Sequence, residues 1–289
     1  MLTKLPKRMR DSLAAAGGIV GLFSTVSSII GYSLRDIMPR ASIPITVLVV
    51  IVSYVCLSAL VYCIIGRLFR KKVNLIINGT PVEICYGDIF SMDGLRVIGC
   101  DTHFDTRADN VVISKTSLHG RLVLEFGDIP SIKSAVSSAA RRLNLAPDQF
   151  GQYSFPLGSI VKYQKEDSDD VYLLLAMTEL NDDYESHTYT IKFEQMLMKM
   201  WKEISRVYNG APVVIPLLGA GMTRFDDGIK DKSTLLRCML CTMNASGVKL
   251  KSVKIVIDQK ELNEQKETPI PLYEFNNLLQ IVPGLTNKH

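Results

Sequence analysis

Residues 212–225 read PVVIPLLGAGMTRF, an apolar run that leads directly into a turn with two glycines. The apolar half predicts a buried strand, because it is short, continuous and rich in Val, Ile and Leu. Gly219 and Gly221 allow backbone N–H groups to turn inward, and such a nest before a helix suits phosphate. A tight strand-to-helix turn needs the same glycines for its geometry, so this stretch alone leaves phosphate binding open.

Strand-like and helix-like segments alternate on both sides of this stretch. Asn78-Gly79 suits a type I′ turn, and the apolar residues around it predict a β-hairpin over 73–86. The alternation predicts an α/β domain over residues 73–289, with a mixed, mostly parallel sheet flanked by helices. The remaining predicted strands are 95–99, 110–113, 159–163, 171–177, 212–217 and 252–257, and the predicted helices are 132–144, 189–208 and 233–244.

Residues 1–72 differ from the rest of the chain in composition. Residues 13–34 and 43–66 contain no Asp, Glu, Lys or Arg. Because about 20 helical residues cross a bilayer core, these runs predict a transmembrane hairpin with helices at about 13–34 and 43–66. A signal peptide is the rival interpretation of the first run, but the apolar segment is too long and a second follows at once.

Charge predicts the orientation of this hairpin. Residues 1–72 contain ten basic and two acidic residues, which leaves 23 basic and 27 acidic residues for 73–289. Basic residues flank both apolar runs on the side of the chain termini, so the positive-inside rule places both termini in the cytoplasm. The expectation is therefore a two-pass protein of the bacterial inner membrane, with the lipid bilayer as a partner. A nucleic-acid partner is not expected, since the basic excess belongs to the membrane flanks.

Small residues mark one side of the first helix. Gly17 and Gly21 form a GxxxG pair, and Ser24 and Ser28 repeat that spacing. Such residues let helix backbones approach closely. Two interpretations remain open: this side packs on the second helix of the same chain, or it joins copies of the chain in a homo-oligomer.

Two further segments resemble ligand sites. Gly87-Asp88-Ile89 ends the predicted hairpin, and its carboxylate suits an exocyclic amine such as adenine N6, although turn and N-cap aspartates are common. Residues 117–121 read SLHGR, a glycine-containing loop before a possible helix.

Together with residues 219–225, these segments resemble a macro domain. In that family, the aspartate of a Gly-Asp-Ile strand end contacts adenine, two glycine loops hold a diphosphate, and an aromatic residue lies near the distal ribose. The resemblance implies ADP-ribose, or an amino-acid conjugate of it, as the ligand, with no cofactor and no metal. The ligand-binding residues that it implies are Asp88, Ile89, Ser117, Leu118, His119, Gly120, Arg121, Gly219, Ala220, Gly221, Met222, Thr223, Arg224 and Phe225.

One departure from the family concerns turnover. Hydrolytic macro domains carry an Asn-Ala-Ala-Asn stretch, whereas this chain has GCDTHFDT at 99–106. The missing asparagine predicts binding without hydrolysis and no catalytic residue. Asp101, His103 or Asp105 is then a candidate for reading a substituent on the distal ribose, and the carboxylates suit a cationic or amine-bearing group. The candidate ligand-binding residues of this stretch are Asp101, Phe104, Asp105 and Thr106.

The two apolar runs, the Phe-Asp-Thr and Ser-Leu-His-Gly segments and the macro-like domain together resemble the membrane effector of type II Thoeris antiphage systems. The resemblance implies that a TIR-domain partner makes a nucleotide signal, histidine joined to ADP-ribose. The effector binds this signal, oligomerises and disrupts the membrane in abortive infection. Two alternatives stay open: an anchored ADP-ribosyl hydrolase, in which Asp101 or Asp105 activates water, and a passive reader of ADP-ribosylated proteins.

Overall fold

The structure, a computed structural model, describes residues 7–30, 43–68, 72–166, 168–181, 185–228 and 231–258. It divides into two compact units, Met1–Arg70 and Lys71–His289. The end of the predicted domain, residues 259–289, lies outside the described residues.

The described residues of the first unit form two long helices, α1 (Lys7–Ile30) and α2 (Ile43–Leu68). They pack on each other where Ala16 is fully buried and the Tyr54 hydroxyl donates to the Leu13 carbonyl at 2.9 Å. A Cβ on Gly17 would lie 3.8 Å from that hydroxyl, so Gly17 takes part in packing within one chain. A Cβ on Gly21 would meet nothing within 4 Å.

Ser24 is exposed, like Gly21, and the side chain of Ser28 lies outside the described part of the helix. A role for these small residues in joining copies of the chain therefore stays a prediction.

The predicted two-pass location in the inner membrane, with both termini in the cytoplasm, is wrong. Across the residues that the structure describes, no helix combines the length and the apolar character that crossing a bilayer requires. The prediction relied on the absence of charge, which is a weaker condition than sustained apolarity. In α1, Gly, Ser and Thr occupy many positions where a membrane span carries large apolar side chains.

In the described part of the second unit, nine strands form one mixed sheet. Their spatial order is β1-β2-β9-β7-β3-β5-β6-β8, and β4 also pairs with β5. The five neighbours β2, β9, β7, β3 and β5 are parallel, whereas β1 and β4 run antiparallel to their partners. The strands are β1 (Lys72–Ile77), β2 (Thr80–Gly87), β3 (Leu95–Asp101), β4 (Ile160–Gln164), β5 (Val171–Leu180), β6 (Ser186–Thr188), β7 (Val213–Pro216), β8 (Arg224–Phe225) and β9 (Val253–Asp258).

The predicted hairpin is confirmed. Asn78 and Gly79 join β1 to β2 with φ angles of 52° and 79°, the left-handed values that a type I′ turn needs. The sheet carries helices on both faces, as predicted for an α/β domain. They are α3 (Leu118–Arg121), α4 (Ile129–Arg142), α5 (Thr190–Val207) and α6 (Lys232–Ser246).

Two apolar cores, one on each face of the sheet, fix the strand positions. Trp201 of α5 is fully buried in the first core, and its Nε1 donates to the Thr242 hydroxyl of α6 at 3.1 Å. The second core lies beneath α4, where Ile132 and Ala139 pack on the side of the sheet that carries Tyr163.

Two local predictions are wrong. Residues 110–113 form an irregular loop instead of a strand, because Asp109 accepts the N–H groups of Val111 and Val112. Such side-chain bonds replace a strand ladder. A helix does not directly follow the Gly219–Gly221 turn either: β8 comes next, and α6 begins only at Lys232.

The carboxyl ends of the parallel strands meet at one edge of the sheet. In open α/β sheets, ligands bind in the crevice outside this edge. Here Asp88 follows β2, Asp258 ends β9, Leu217 follows β7 and Asp101 ends β3.

Candidate functional site

A cleft with two adjoining chambers runs along this edge of the sheet. The small chamber is a cavity of 180 Å³ that includes Asp88, Arg121 and Asp258 in its lining. The large chamber is a cavity of 550 Å³ that includes Asp101 and Arg224. Six residues line both chambers, so the two cavities form one elongated site. The shared residues are Thr116, Ser117, Leu118, Pro216, Leu217 and Gly221.

A carboxylate and a guanidinium meet in the small chamber. Asp88 caps a 3₁₀ turn by accepting the Phe90 N–H at 3.1 Å, and it also accepts two bonds from Arg121. Nη1 of Arg121 lies 3.1 Å from Oδ1 of Asp88, and Nη2 lies 2.9 Å from Oδ2. The hydrogen bonds to Asp88 raise the pKa of Arg121, which keeps the guanidinium charged.

Two loops face each other where the chambers join. In the first loop, the Ser117 hydroxyl caps α3 by accepting the Gly120 N–H at 3.0 Å. A Cβ on Gly120 would lie 2.1 Å from the Ser114 carbonyl oxygen, so only glycine permits this close approach of α3 to the loop.

The second loop follows β7. Gly219 has a φ of 80°, which favours glycine. Within the described part of the chain, the N–H groups of Gly219, Ala220 and Gly221 have no hydrogen-bond acceptor. Unpaired N–H groups beside a cleft form an anion-binding concavity.

The floor of the large chamber is acidic and buried. The Asp101 carboxylate accepts the His103 N–H at 2.7 Å and the Asp105 N–H at 3.3 Å, which shapes the turn after β3. His119 lies on the other side, with its Nδ1 3.9 Å from Oδ2 of Asp101. Burial lowers the pKa of His119, although the nearby carboxylates of Asp101 and Asp105 oppose this effect, so the ring is neutral at pH 7.

The rim of the large chamber carries charges of both signs. Nη1 of Arg224 lies 2.5 Å from the Glu185 carboxylate. His187 joins this group through Asp226, 2.7 Å from its Nδ1, and through Glu185, 3.2 Å from its Nε2. Hydrogen bonds to Asp226 and then Glu185 raise the pKa of His187. The cluster holds β6 against β8, where His187 pairs with Arg224 in the sheet.

Most residues that the sequence predicted for the site line the cleft. Phe104 and Phe225 instead lie in the two apolar cores. Phe104 packs on Phe155 in the second core, and Phe225 packs on Phe193 in the first. Asp105 is held by Arg107 at 2.6 Å. The residues found in the lining are Asp88, Ile89, Asp101, Ser117, Leu118, His119, Arg121, Gly219, Ala220, Gly221, Met222, Thr223 and Arg224, and those outside it are Phe104, Asp105, Thr106, Gly120 and Phe225.

Sequence reasoning missed several lining residues. Glu185 lies directly before the strand β6, which has only three residues and gives no recognisable pattern. Asp258 lines the small chamber because β9 inserts between β2 and β7, an order that the sequence does not reveal. A polar residue directly after an apolar strand was the available signal for Asp258.

The arrangement suits an elongated ligand with an anionic centre. One end of the cleft offers a carboxylate paired with a planar cation, the junction offers unpaired N–H groups, and the other end offers ionised groups of both signs. Ligands of this kind have a hydrogen-bonding head, a phosphate-like middle and a polar tail.

Comparisons with known proteins agree with this architecture. The family model described as "Thoeris protein ThsA, Macro domain" matches residues 82–258, more than half of the chain. The Thoeris protein ThsA of Bacillus amyloliquefaciens (strain Y2) is 29% identical over 237 residues, which cover 76% of this chain and 78% of that protein.

Among solved structures, the Oceanobacillus iheyensis macrodomain with ADP is 13% identical, with a TM-score of 0.49, and covers 73% of this chain and 98% of its own. The same macrodomain with MES bound has the same identity and coverage and a TM-score of 0.46. On the match over residues 82–258, the chain belongs to the family of Thoeris ThsA macro domains.

Proposed function

We propose that the second unit is a sensor that binds an ADP-ribose-type nucleotide without turning it over. The chain then acts as the effector of a Thoeris antiphage system, in which a TIR-domain protein supplies the nucleotide. The observation that carries the proposal is the continuous cleft, with Asp88 at one end, unpaired N–H groups at the junction and a polar chamber at the other end.

Each part of the ligand has a matching part of the cleft. Asp88 and Ile89 line the small chamber, which takes the adenine. The diphosphate lies between the loops that contain Ser117 and Gly221, where backbone N–H groups stabilise its charge. The distal ribose then extends into the large chamber.

The charges of the large chamber favour an amino-acid conjugate over plain ADP-ribose. An amino-acid substituent carries an ammonium and a carboxylate, and the rim presents the opposite charges at Glu185 and Arg224. In the unliganded protein these two side chains pair with each other, so a zwitterionic substituent replaces one ion pair by two. Histidine joined to ADP-ribose is our candidate for the signal.

The hydrogen bonds of the polar groups after β3 support binding without turnover. The Asp101 carboxylate accepts the N–H groups of His103 and Asp105, and the Asp105 carboxylate pairs with Arg107. These bonds occupy the two carboxylates that the hydrolase alternative requires for activating water. The stretch also lacks the asparagine that hydrolytic macro domains carry.

The first unit supplies a surface for assembly between copies. Its helices leave large apolar side chains uncovered, including Leu22 at 70% exposure and Leu48 at 60%. Contiguous apolar surface of this kind marks an interaction site. A second copy of the chain is the occupant that we propose, with the small residues Gly21 and Ser24 at the contact.

Sedimentation of the full-length chain tests this effector function. Histidine-conjugated ADP-ribose should raise the mass of the protein to a multiple of its unliganded mass. Gly21→Leu should keep nucleotide binding and lose this assembly, because Gly21 has open space around it and the larger side chain blocks close approach.

Ala15→Leu is the matched control, since residue 15 is exposed and points from the same helix in a direction about 120° away from that of Gly21. This variant should assemble like the wild type. A wild-type protein whose mass does not respond to bound ligand would refute ligand-driven assembly, and unimpaired assembly of Gly21→Leu would refute this contact face.

A further inference from the structure

Arg121 stands out because its position differs from the role that the family resemblance implied. The resemblance placed it on the diphosphate, but the structure places its guanidinium in the small chamber, on the carboxylate of Asp88. A role for Arg121 in holding the base rests on the proposed function, because the base is part of the proposed nucleotide.

The guanidinium is fixed on several sides. Two nitrogens bind the two oxygens of Asp88, and Nε lies 3.7 Å from the Glu125 carboxylate. A bidentate pair of this kind is planar and gives the side chain a defined orientation. Arg121 therefore has little freedom to turn its nitrogens toward a diphosphate.

Two aromatic rings also pack against the guanidinium of Arg121. The guanidinium carbon lies 4.6 Å from the centroid of the Phe90 ring and 5.7 Å from that of Phe126. The two rings are stacked, with centroids 4.1 Å apart and planes within 3° of parallel. Phe126 reaches this position because Leu122–Phe126 forms a turn of π-helix directly after α3. Turns of this kind are frequent at functional sites.

The side chain is nevertheless accessible to a ligand. About one fifth of it is exposed, and it lines the small chamber together with Asp88. A guanidinium whose edge is occupied by carboxylates still presents its flat face, which stacks on aromatic systems. A purine base is such a system.

We propose that Arg121 is the base-stacking residue of this site: the purine lies on the guanidinium face, and the bidentate pair with Asp88 fixes the orientation of that face. Arg121 thus supplies a stacking platform, with Phe90 and Phe126 packed against it. The recognised chemistry is a planar base.

The opposite interpretation makes Arg121 a gate that blocks the chamber and must leave before a base enters. The two interpretations predict opposite changes in affinity. Removing a platform weakens binding of the base, whereas removing a gate strengthens it.

Calorimetric titration of ADP-ribose into the full-length chain distinguishes them. Arg121→Lys keeps the positive charge but lacks a planar face, and it should weaken ADP-ribose binding about tenfold, the scale of stacking one base. Arg121→Tyr restores a planar face without the charge, and it should bind ADP-ribose more tightly than Arg121→Lys. Arg107→Lys is the matched control, because Arg107 pairs with Asp105 outside the lining of the cleft, and it should match the wild type.

An affinity of Arg121→Lys for ADP-ribose equal to or higher than that of the wild type would contradict base stacking on Arg121. A lower affinity in Arg121→Tyr than in Arg121→Lys would contradict it as well. Melting temperatures within a few degrees of the wild type show that all three variants are folded. If the wild type itself binds neither ADP-ribose nor its histidine conjugate, both the proposed function and the role of Arg121 are wrong.

Discussion

Gly221→Glu should abolish binding of ADP-ribose and of its amino-acid conjugates. Gly221 lines both chambers, at the junction where the diphosphate is proposed to lie. A carboxylate at this point fills the passage and repels the phosphates, and opposed like charges cost several kcal/mol. Because each 1.4 kcal/mol changes affinity tenfold, we expect a loss on the order of 100-fold or more.

The fold should tolerate this substitution. A Cβ on Gly221 meets no atom within 4 Å, so the variant should unfold at the same denaturant concentration as the wild type. Gly221→Ala is the matched control and should bind within about twofold of the wild type, because it adds a methyl group without charge. Full affinity in Gly221→Glu would remove the second loop from the site.

Gly120→Ala should damage both stability and binding, although it adds only one methyl group. The new Cβ would lie 2.1 Å from the Ser114 carbonyl oxygen and 3.0 Å from the Lys115 Cα. Both are backbone atoms, so the loop must move. Forcing such an overlap typically costs about 1–3 kcal/mol of unfolding free energy.

The displaced loop contains Ser117 and leads into Leu118, which line both chambers. Loss of one hydrogen bond to a charged ligand costs about 1.5–3 kcal/mol, so affinity for ADP-ribose should fall at least about tenfold. Denaturant unfolding and calorimetry measure the two effects. Gly221→Ala, the same substitution in the facing loop, is again the control. Wild-type stability in Gly120→Ala would show that the loop does not need the close approach of α3.

Much of the α/β unit follows from its sequence because its strong signals are local. Asn78-Gly79 predicts the hairpin, since few other dipeptides adopt two left-handed residues. Val213–Pro216 lies in a continuous apolar run that predicts a buried parallel strand. The helices α5 and α6 are long and amphipathic, so their periodicity identified them within one or two residues.

Other features depend on tertiary contacts that no local pattern encodes. Residues 110–113 have the composition of a strand, but the Asp109 carboxylate binds their N–H groups and makes a loop. The paired residues of the small strands β6 and β8 are 37 positions apart, as in His187 and Arg224, so Glu185 and Arg224 meet only in the folded protein. The position of Arg121 likewise depends on a π-turn and on Asp88, 33 residues earlier.

The first unit shows where a sequence signal is insufficient. Absence of charge over residues 13–34 and 43–66 predicted two helices, and the structure contains α1 over Lys7–Ile30 and α2 over Ile43–Leu68. Residues 31–34 lie outside the described residues. It did not establish a membrane span, because crossing a bilayer also requires sustained apolarity over the full length. The basic flanks then gave an orientation to a span that the described residues do not contain.

Calorimetric titration of the wild-type, full-length chain with histidine-conjugated ADP-ribose and with ADP-ribose tests the central claim most directly. Mass spectrometry of the recovered ligand completes the measurement. We predict saturable binding of both nucleotides, and recovery of both in intact form. The conjugate should bind more tightly, because Glu185 and Arg224 face its ammonium and carboxylate. Absence of binding to either nucleotide, or recovery of a hydrolysed ligand, would contradict a sensor that binds without turnover.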